Sequence, residues 1–413
     1  MSWLVFIAAL SVLLFIDYYV FQGVKALIKK WPDGWRKAIY IGYWSTTGYI
    51  VLSFLFYKII GPQAISPHLQ RWSTVLFFII YVSKLPALLF LIIDDLIRFA
   101  RWIIIKLSQP KDSYAGQKIS RSDFLVKASV VAAAIPATSL GFGILSGAYD
   151  YRLRQRKVPI ANLPNAFHGL KIGQLSDIHS GSFFNKTAVE GGVDLLMNEK
   201  PDLFVFTGDL VNNETSEMQD YKKIFSRAKA PLGAFSSLGN HDYGDYRSWP
   251  SARHKQQNLD DLVQVHKEMG WDLLRNENRV VEVDGEQLSI IGVENWGKGR
   301  FAKYGDLQKA YAGSENITTK ILLSHDPSHW DAQVREGFKD IDLTLAGHTH
   351  GFQFGVEIGN FRWSPSQYMY KQWADLYTED NQHLYVNRGF GFLGYPGRVG
   401  ILPEVTILEL VKA

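Results

Sequence analysis

The hydrophobic pattern divides the chain in two. Up to about Gly147 it runs in long, nearly uninterrupted apolar stretches, and beyond that point short apolar runs alternate with segments rich in charge, Gly, Asn and His. A bilayer core about 30 Å thick takes about 20 residues of helix to cross. Four stretches meet that length: residues 3–21, 38–60, 74–93 and 126–149. The last is rich in Ala, Gly and Ser, small residues that let membrane helices approach closely. The first has neither a basic beginning nor a cleavage pattern and reads as a retained span.

From Leu170 onward the runs shorten to strand length and end in Gly, Asn, Asp or His. Strands are expected at 170–175, 203–207, 232–238, 288–293, 321–324 and 343–346, with a last one at 405–410 after the Gly-rich stretch 389–400. Helices are expected at 186–198, 216–228, 259–269 and 327–336. Connections of βαβ length between the first strands imply an α/β layered fold with functional residues on loops at strand ends. The expected organisation is a transmembrane region at 1–150, a linker at 151–162 and a catalytic domain at 163–413.

Short loops that carry Lys and Arg stay on the cytoplasmic side. Lys25, Lys29, Lys30, Arg36 and Lys37 follow span one, and Arg98, Arg101, Lys106, Lys111, Lys118 and Arg121 follow span three, whereas the loop after span two offers mainly Arg71. That distribution points both termini, and with them the soluble domain, to the outer face of a cytoplasmic membrane. Arg152, Arg154, Arg156 and Lys157 directly after span four run against it, although long translocated domains often ignore such charge and anionic headgroups could receive it. The approach to span four, Ser120-Arg121-Ser122-Asp123-Phe124-Leu125-Val126-Lys127, resembles a twin-arginine export signal with Ser122 in place of the second arginine.

Composition narrows the function. The 413 residues contain 47% hydrophobic and 20% charged residues, which excludes a disordered or collagen-like chain. There is no cysteine, so disulfide scaffolds, thiolate zinc sites and cysteine nucleophiles are excluded. A net charge of +4 without a domain-wide basic stripe gives no support to nucleic-acid binding.

Five segments place metal-type ligands at strand ends: Asp177-Ile178-His179, Gly208-Asp209, Gly239-Asn240-His241-Asp242, Ser324-His325-Asp326 and Gly347-His348-Thr349-His350. Any one of them alone is ordinary turn chemistry. In this order they resemble the blocks D-x-H, G-D, G-N-H-[DE], lone His and G-H-x-H of the calcineurin-like metallophosphoesterase superfamily. With the membrane anchor, the chain is most similar to the membrane-associated YkuE/YaeI-type branch. Carboxylate oxygen and neutral imidazole suit divalent manganese, iron or zinc, and no thiol is needed.

The resemblance implies a four-layer β-sandwich flanked by helices, preceded here by four transmembrane helices. It implies two divalent metal ions: Asp177, His179 and His350 on the first, Asn240, His325 and His348 on the second, and Asp209 bridging both. A paired site would activate a hydroxide for in-line attack on phosphorus. His241 would stabilise charge or protonate the leaving group, Asp242 would orient it, and Arg388 and Arg398, flanking the Gly-rich stretch, would contact phosphate. The expected activity is hydrolysis of a phosphodiester or pyrophosphate bond, with a lipid headgroup as one candidate substrate. The alternatives are a phosphomonoesterase of similar mechanism or a catalytically silent interaction module. The expected partners are the lipid bilayer and the phosphate ester; the oligomeric state stays open. Some relatives cleave UDP-diacylglucosamine, a cytoplasmic substrate that an outward-facing domain would not meet. His68, His168, His254, His266, His329 and His383 have no matching partners and read as surface or core histidines. Trp249, Trp296 beside Asn295, Trp330, Trp363 and Trp373 read as core positions with a lipid-facing rim as the alternative.

Overall fold

The computed structural model describes residues 2–61, 66–108, 121–299, 301–359 and 361–413; Ser120, Lys111, Lys118 and the His68 side chain lie outside the described set. The chain forms two compact units, Met1–Gly141 and Phe142–Ala413.

The first unit holds α1 (Trp3–Leu27), α2 (Asp33–Ile60), α3 (Pro67–Ser108) and α4 (Asp123–Leu145) as far as Gly141, the last turn of α4 belonging to the second unit, and all four helices are long and apolar enough to cross a membrane. Helix α3 is much longer than the apolar stretch 74–93 because Asp94, Asp95, Arg98 and Arg101 end the apolar run without ending the helix. Helix propensity is nearly indifferent to such charges. Charges inside an apolar bundle are tolerated only when partnered. Buried Asp17 pairs with Lys84, takes the Tyr81 hydroxyl at 2.7 Å and offers its backbone oxygen to the Tyr43 hydroxyl at 2.8 Å. Asp95 accepts from Tyr19, Arg98 and Arg121 at 2.5, 2.6 and 3.1 Å, while Asp94 accepts the Ser122 N–H at 3.0 Å. Arg121, the arginine of the export-like element, is thus engaged in ion pairs on α3.

The second unit begins with β1 (Arg152–Ile160), β2 (Lys171–Leu175), β3 (Leu203–Thr207), β4 (Ala234–Ser237) and β5 (Asp272–Leu273). It continues with β6 (Glu277–Val283), β7 (Glu286–Gly292), β8 (Thr319–Leu323) and β9 (Leu343–Ala346). It ends with β10 (Val356–Ile358), β11 (Phe361–Trp363), β12 (Asp375–Glu379), β13 (Gln382–Val386) and β14 (Glu404–Lys412). Two six-stranded mixed sheets form, in the orders β1-β14-β2-β3-β4-β5 and β12-β13-β9-β8-β7-β6, and β10 and β11 make a separate hairpin. One core, including Ile172, Val205, Leu288, Ile321, Leu345 and Leu408, fills the space between the sheets. A second packs Phe204 and Phe206 under α5 (Lys186–Met197), α6 (Lys222–Phe225) and α7 (Ala252–Met269). A third packs Leu322, Ala346 and Val386 against α8 (Leu307–Tyr311) and Trp330. The result is the expected four-layer helix–sheet–sheet–helix sandwich.

Three expectations need correction. The linker expected at 151–162 is largely strand: β1 pairs in parallel with β14, from Arg152 opposite Glu404 to Ile160 opposite Lys412. Its arginines hide an alternation that becomes apolar only at the buried Val158 and Ile160. The helix expected at 216–228 is a 3-10 turn, Thr215–Met218, followed by the single turn of α6. The helix expected at 327–336 is a wide π-type turn, Trp330–Val334, running into Arg335–Gly337. Helix α7 also starts seven residues before the expected 259, at Ala252, where Ser251 caps it.

Candidate metal centre

The five ligand segments leave parallel strands of both sheets at the same edge and meet there. Asp177, His179, Asp209, His348 and His350 all sit in the left-handed region, with φ of 51, 48, 62, 70 and 50°. Non-glycine residues rarely adopt that conformation, and its clustering marks a functional site. Glycines permit the close approach. At Gly208, with φ +94°, a Cβ would stand 2.5 Å from the Gly239 nitrogen. At Gly391 a Cβ would stand 1.9 Å from the Ile178 carbonyl oxygen.

Two clusters of convergent ligand atoms result, Asp177 with His179 and His350, and Asp209 with His325 and His348. His350 Nε2 lies 3.2 Å from Asp177 Oδ1 and 3.0 Å from His179 Nε2. Asp209 Oδ2 stands between the clusters, 3.5 Å from His179 Nε2 and 3.1 Å from His325 Nε2. Asn240 completes the second group with Oδ1 at 2.8 Å from His348 Nδ1. All seven expected ligands are therefore together.

The surrounding hydrogen bonds aim these atoms. His325 donates from Nδ1 to the Thr207 carbonyl at 2.7 Å, which leaves Nε2 facing Asp209. His348 Nε2 reaches the Tyr370 hydroxyl at 2.8 Å and Asp326 Oδ2 at 3.5 Å, which leaves Nδ1 facing Asn240. Asn240 donates its amide to the Tyr246 hydroxyl at 2.9 Å, so its oxygen points inward. Such outer partners fix tautomer and orientation of metal-binding groups. Asp209, Asn240 and His348 thus direct acceptors at one place, an arrangement that calls for a cation. The titration of His325 registers the same demand: burial pushes it down, but Asp209 outweighs burial and holds it up at about 10. Burial likewise opposes the charge on Asp177 and Asp209, yet the neighbouring imidazoles keep both below the usual carboxylate range. The donor set fits two divalent cations of the hard to borderline class.

His241 lies at the open side. Its backbone N–H donates to Asp209 Oδ1 at 2.8 Å, its Nδ1 meets the Asn212 carbonyl at 2.8 Å, and its ring is 5.0 Å from that of His179. Asp242 does not touch that ring, which corrects the orienting role expected for it. Fully buried, it accepts the backbone N–H groups of Asp209 and Gly239 at 2.9 Å and of Leu210 at 2.8 Å, and so shapes the turn that carries Asp209.

Arg388 and Arg398 are also corrected. Arg388 is fully buried against Glu404 and Glu357, each at 2.7 Å. Arg398 is buried too; it donates to the Gly389 and Gly391 carbonyls at 3.1 and 2.5 Å, and its Nη2 is 3.2 Å from His350 Nδ1. Arg388 is spent on the carboxylates of Glu357 and Glu404 and Arg398 on the carbonyls of the Gly-rich loop, so neither presents a free fork to phosphate. Their acceptors come from distant or backbone positions that no local motif announces. Asp326, expected only as part of the Ser324-His325-Asp326 segment and without a role of its own, joins the site beside His348, and Tyr246 and Tyr370 join it with no signal in the sequence.

The other histidines stay outside the cluster: His266, His329 and His383 are buried on Ser236, Ser324 and the Pro159 carbonyl, and His168 and His254 are exposed. Trp330 and Trp373 are core, Asn295 is buried, and Trp249, Trp296 and Trp363 are half-buried.

Family models match both units. Residues 1–148 match "Probable Calcineurin-like phosphoesterase, transmembrane domain" and residues 170–352 match "Calcineurin-like phosphoesterase". A metallophosphoesterase of Aquifex aeolicus is 31% identical over 65% of this chain and 97% of its own length. The chain belongs to the calcineurin-like metallophosphoesterases. Among these it is 28% identical to phosphodiesterase YaeI of Escherichia coli, over 71% of this chain and all of that one. It is 27% identical to the UDP-2,3-diacylglucosamine pyrophosphatase LpxG of Chlamydia trachomatis, over 56% of this chain and 81% of that one. It spans 63% of the length of a zebrafish transmembrane protein with a metallophosphoesterase domain, at 28% identity over 69% of this chain. The family model and the four apolar helices make this a multi-pass, membrane-linked metallophosphoesterase.

Proposed function

We propose that this protein hydrolyses a phosphodiester or pyrophosphate bond at the membrane, with a lipid headgroup ester as substrate and the catalytic unit on the outer face. The single observation that carries the hydrolase reading is the pair of ligand clusters, with Asp209 Oδ2 of the second standing 3.5 Å from His179 of the first. In this reading Asp177, His179 and His350 hold one cation, Asn240, His325 and His348 hold the other, and Asp209 belongs to both. The two cations would supply Lewis acidity and a water of lowered pKa. The chain supplies everything else. Asp242 and the Gly208 turn fix Asp209; Thr207, Tyr370 and Tyr246 fix the lone pairs of His325, His348 and Asn240. His241, open to solvent and tied at Nδ1 to Asn212, presents Nε2 to the substrate and would hand a proton to the leaving oxygen. Its geometry supports that role without Asp242.

The lipid substrate rests on the four spans, which raise the effective concentration of any membrane-borne ester; the relative named for UDP-2,3-diacylglucosamine supports the bond type, a pyrophosphate with a lipid arm, and not that cytoplasmic compound as substrate. The outward orientation rests on the Lys and Arg of the loops after spans one and three. Phosphorus-31 NMR of protein in nanodiscs, with manganese and either a lipid-linked pyrophosphate or phosphatidylglycerol, tests the substrate. A new phosphomonoester signal supports the reading. Turnover of soluble phosphomonoesters alone would replace it with a monoesterase.

A further inference from the structure

The hairpin of β10 and β11 carries two different faces. Its register sets Val356 opposite Trp363, Glu357 opposite Arg362 and Ile358 opposite Phe361. Side chains alternate across a strand, so Val356, Ile358, Phe361 and Trp363 share one face while Glu357 and Arg362 share the other. The apolar face is uncovered: Ile358 is 73% and Phe361 61% exposed, and Phe354 beside them is exposed as well. A contiguous exposed apolar patch on a projecting element marks a contact surface.

The polar face closes a cavity of about 460 Å³ lined by Arg152, Arg154, Arg156 and Arg362 against Glu357 and Asp375. The three β1 arginines lie at alternate positions and so on one side of an edge strand. Asp150 also pairs with Arg152 and Glu404 with Arg154, while buried Arg388 shares Glu357, Asp375 and Glu404, so five guanidinium groups face four carboxylates and the cavity keeps a surplus of one positive charge.

The end of the fourth apolar span lies within the same compact unit. The apolar span that contains α4 runs to Tyr149, with only Asp150 and Tyr151 before Arg152. The Arg398 N–H donates to the Gly143 carbonyl of α4 at 3.1 Å, and the next residue, Val399, forms a bridge to Phe354 at the base of the hairpin. The end of the span, the hairpin and the arginine cavity are therefore contiguous.

We propose that the β10–β11 hairpin docks into the lipid interface, with Ile358 and Phe361 among the acyl chains and the arginine cavity receiving an anionic headgroup phosphate. Apolar side chains combined with basic groups at headgroup level are the usual chemistry of interfacial binding. The inference does not depend on hydrolysis. It would hold the second unit against the bilayer by a contact separate from the spans.

The absence of native cysteine permits a direct test. Full-length Ile358→Cys and, as a control on the β6 edge, Glu282→Cys are labelled with an environment-sensitive dye and reconstituted in phosphatidylcholine nanodiscs with or without phosphatidylglycerol. The dye at 358 is expected to shift to the blue and to be quenched by doxyl-labelled lipid, more so with phosphatidylglycerol, while the dye at 282 is not. Replacing the more exposed arginines (Arg152→Gln with Arg156→Gln) should remove the phosphatidylglycerol increment and leave the quenching in phosphatidylcholine. A dye at 358 as water-exposed as the control overturns the proposal. So does quenching only between labelled copies, which would make the hairpin a self-association surface. An increment that survives the arginine replacement overturns the headgroup site.

Discussion

The Asp242 carboxylate accepts the backbone N–H of Asp209 at 2.9 Å from a position with no solvent exposure. It also receives Leu210, Val211 and Gly239, so four backbone donors of the metal-centre loops end on one side chain. Each buried donor left without an acceptor costs about 1–3 kcal/mol. Asp242→Ala is expected to lose roughly 3 kcal/mol of stability or more and to lose metal, read by thermal unfolding and elemental analysis of the purified protein. Retention of both would show that the loop holds itself.

His241→Asn separates chemistry from architecture. The substitution is expected to leave metal content and unfolding temperature close to wild type while lowering kcat for an activated diester by about 100-fold or more, the usual scale for a positioned proton donor. A diester with a better leaving group should recover part of the loss. If the ratio of the two substrates' kcat values is unchanged in the variant, protonation by His241 is refuted.

Arg388 should behave as a structural cation. Its removal leaves the buried Glu404 with Arg154 at 3.4 Å as its remaining cationic partner, and breaking a buried pair costs about 3–5 kcal/mol. Arg388→Met is therefore expected to lower the unfolding temperature strongly. Normal stability with a raised KM would instead restore the phosphate-binding role.

Acid sensitivity follows from His266. Burial pushes this imidazole down to about 3, whereas the unfolded chain takes up the proton near 6.5. Between those values the unfolded state holds the extra proton, so stability falls as pH drops through that window, by up to about 1.4 kcal/mol per unit. Above pH 6.5 both states are neutral and the group contributes no slope. His266→Gln should flatten the unfolding-temperature profile over the same window, and an unchanged profile would rule this histidine out as its source.

What the sequence made legible depended on how local the signal was. Asp177, His179, Asp209, Asn240, His325, His348 and His350 each follow an apolar strand within a short motif, and the parallel strands carry them to one edge. β1 is hard to read because Arg152, Arg154 and Arg156 mask its alternation, and the carboxylates that receive Arg154 and Arg156, namely Glu357, Glu404 and Asp375, lie more than 200 residues away. The burial of Arg388 and Arg398 is illegible for a related reason: proximity in sequence to the Gly-rich loop says where a guanidinium starts, not which buried carboxylate or carbonyl receives it. The β10–β11 hairpin was too short to show a period.

The most direct test of the central claim is hydrolysis of bis-p-nitrophenyl phosphate by purified full-length protein in detergent, stripped by chelation and then given manganese, iron or zinc. Turnover should vanish on chelation, return with metal, and stay absent in Asp209→Asn under every metal although that variant remains folded. Undiminished hydrolysis by the stripped protein or by Asp209→Asn would contradict a shared metal centre at Asp209.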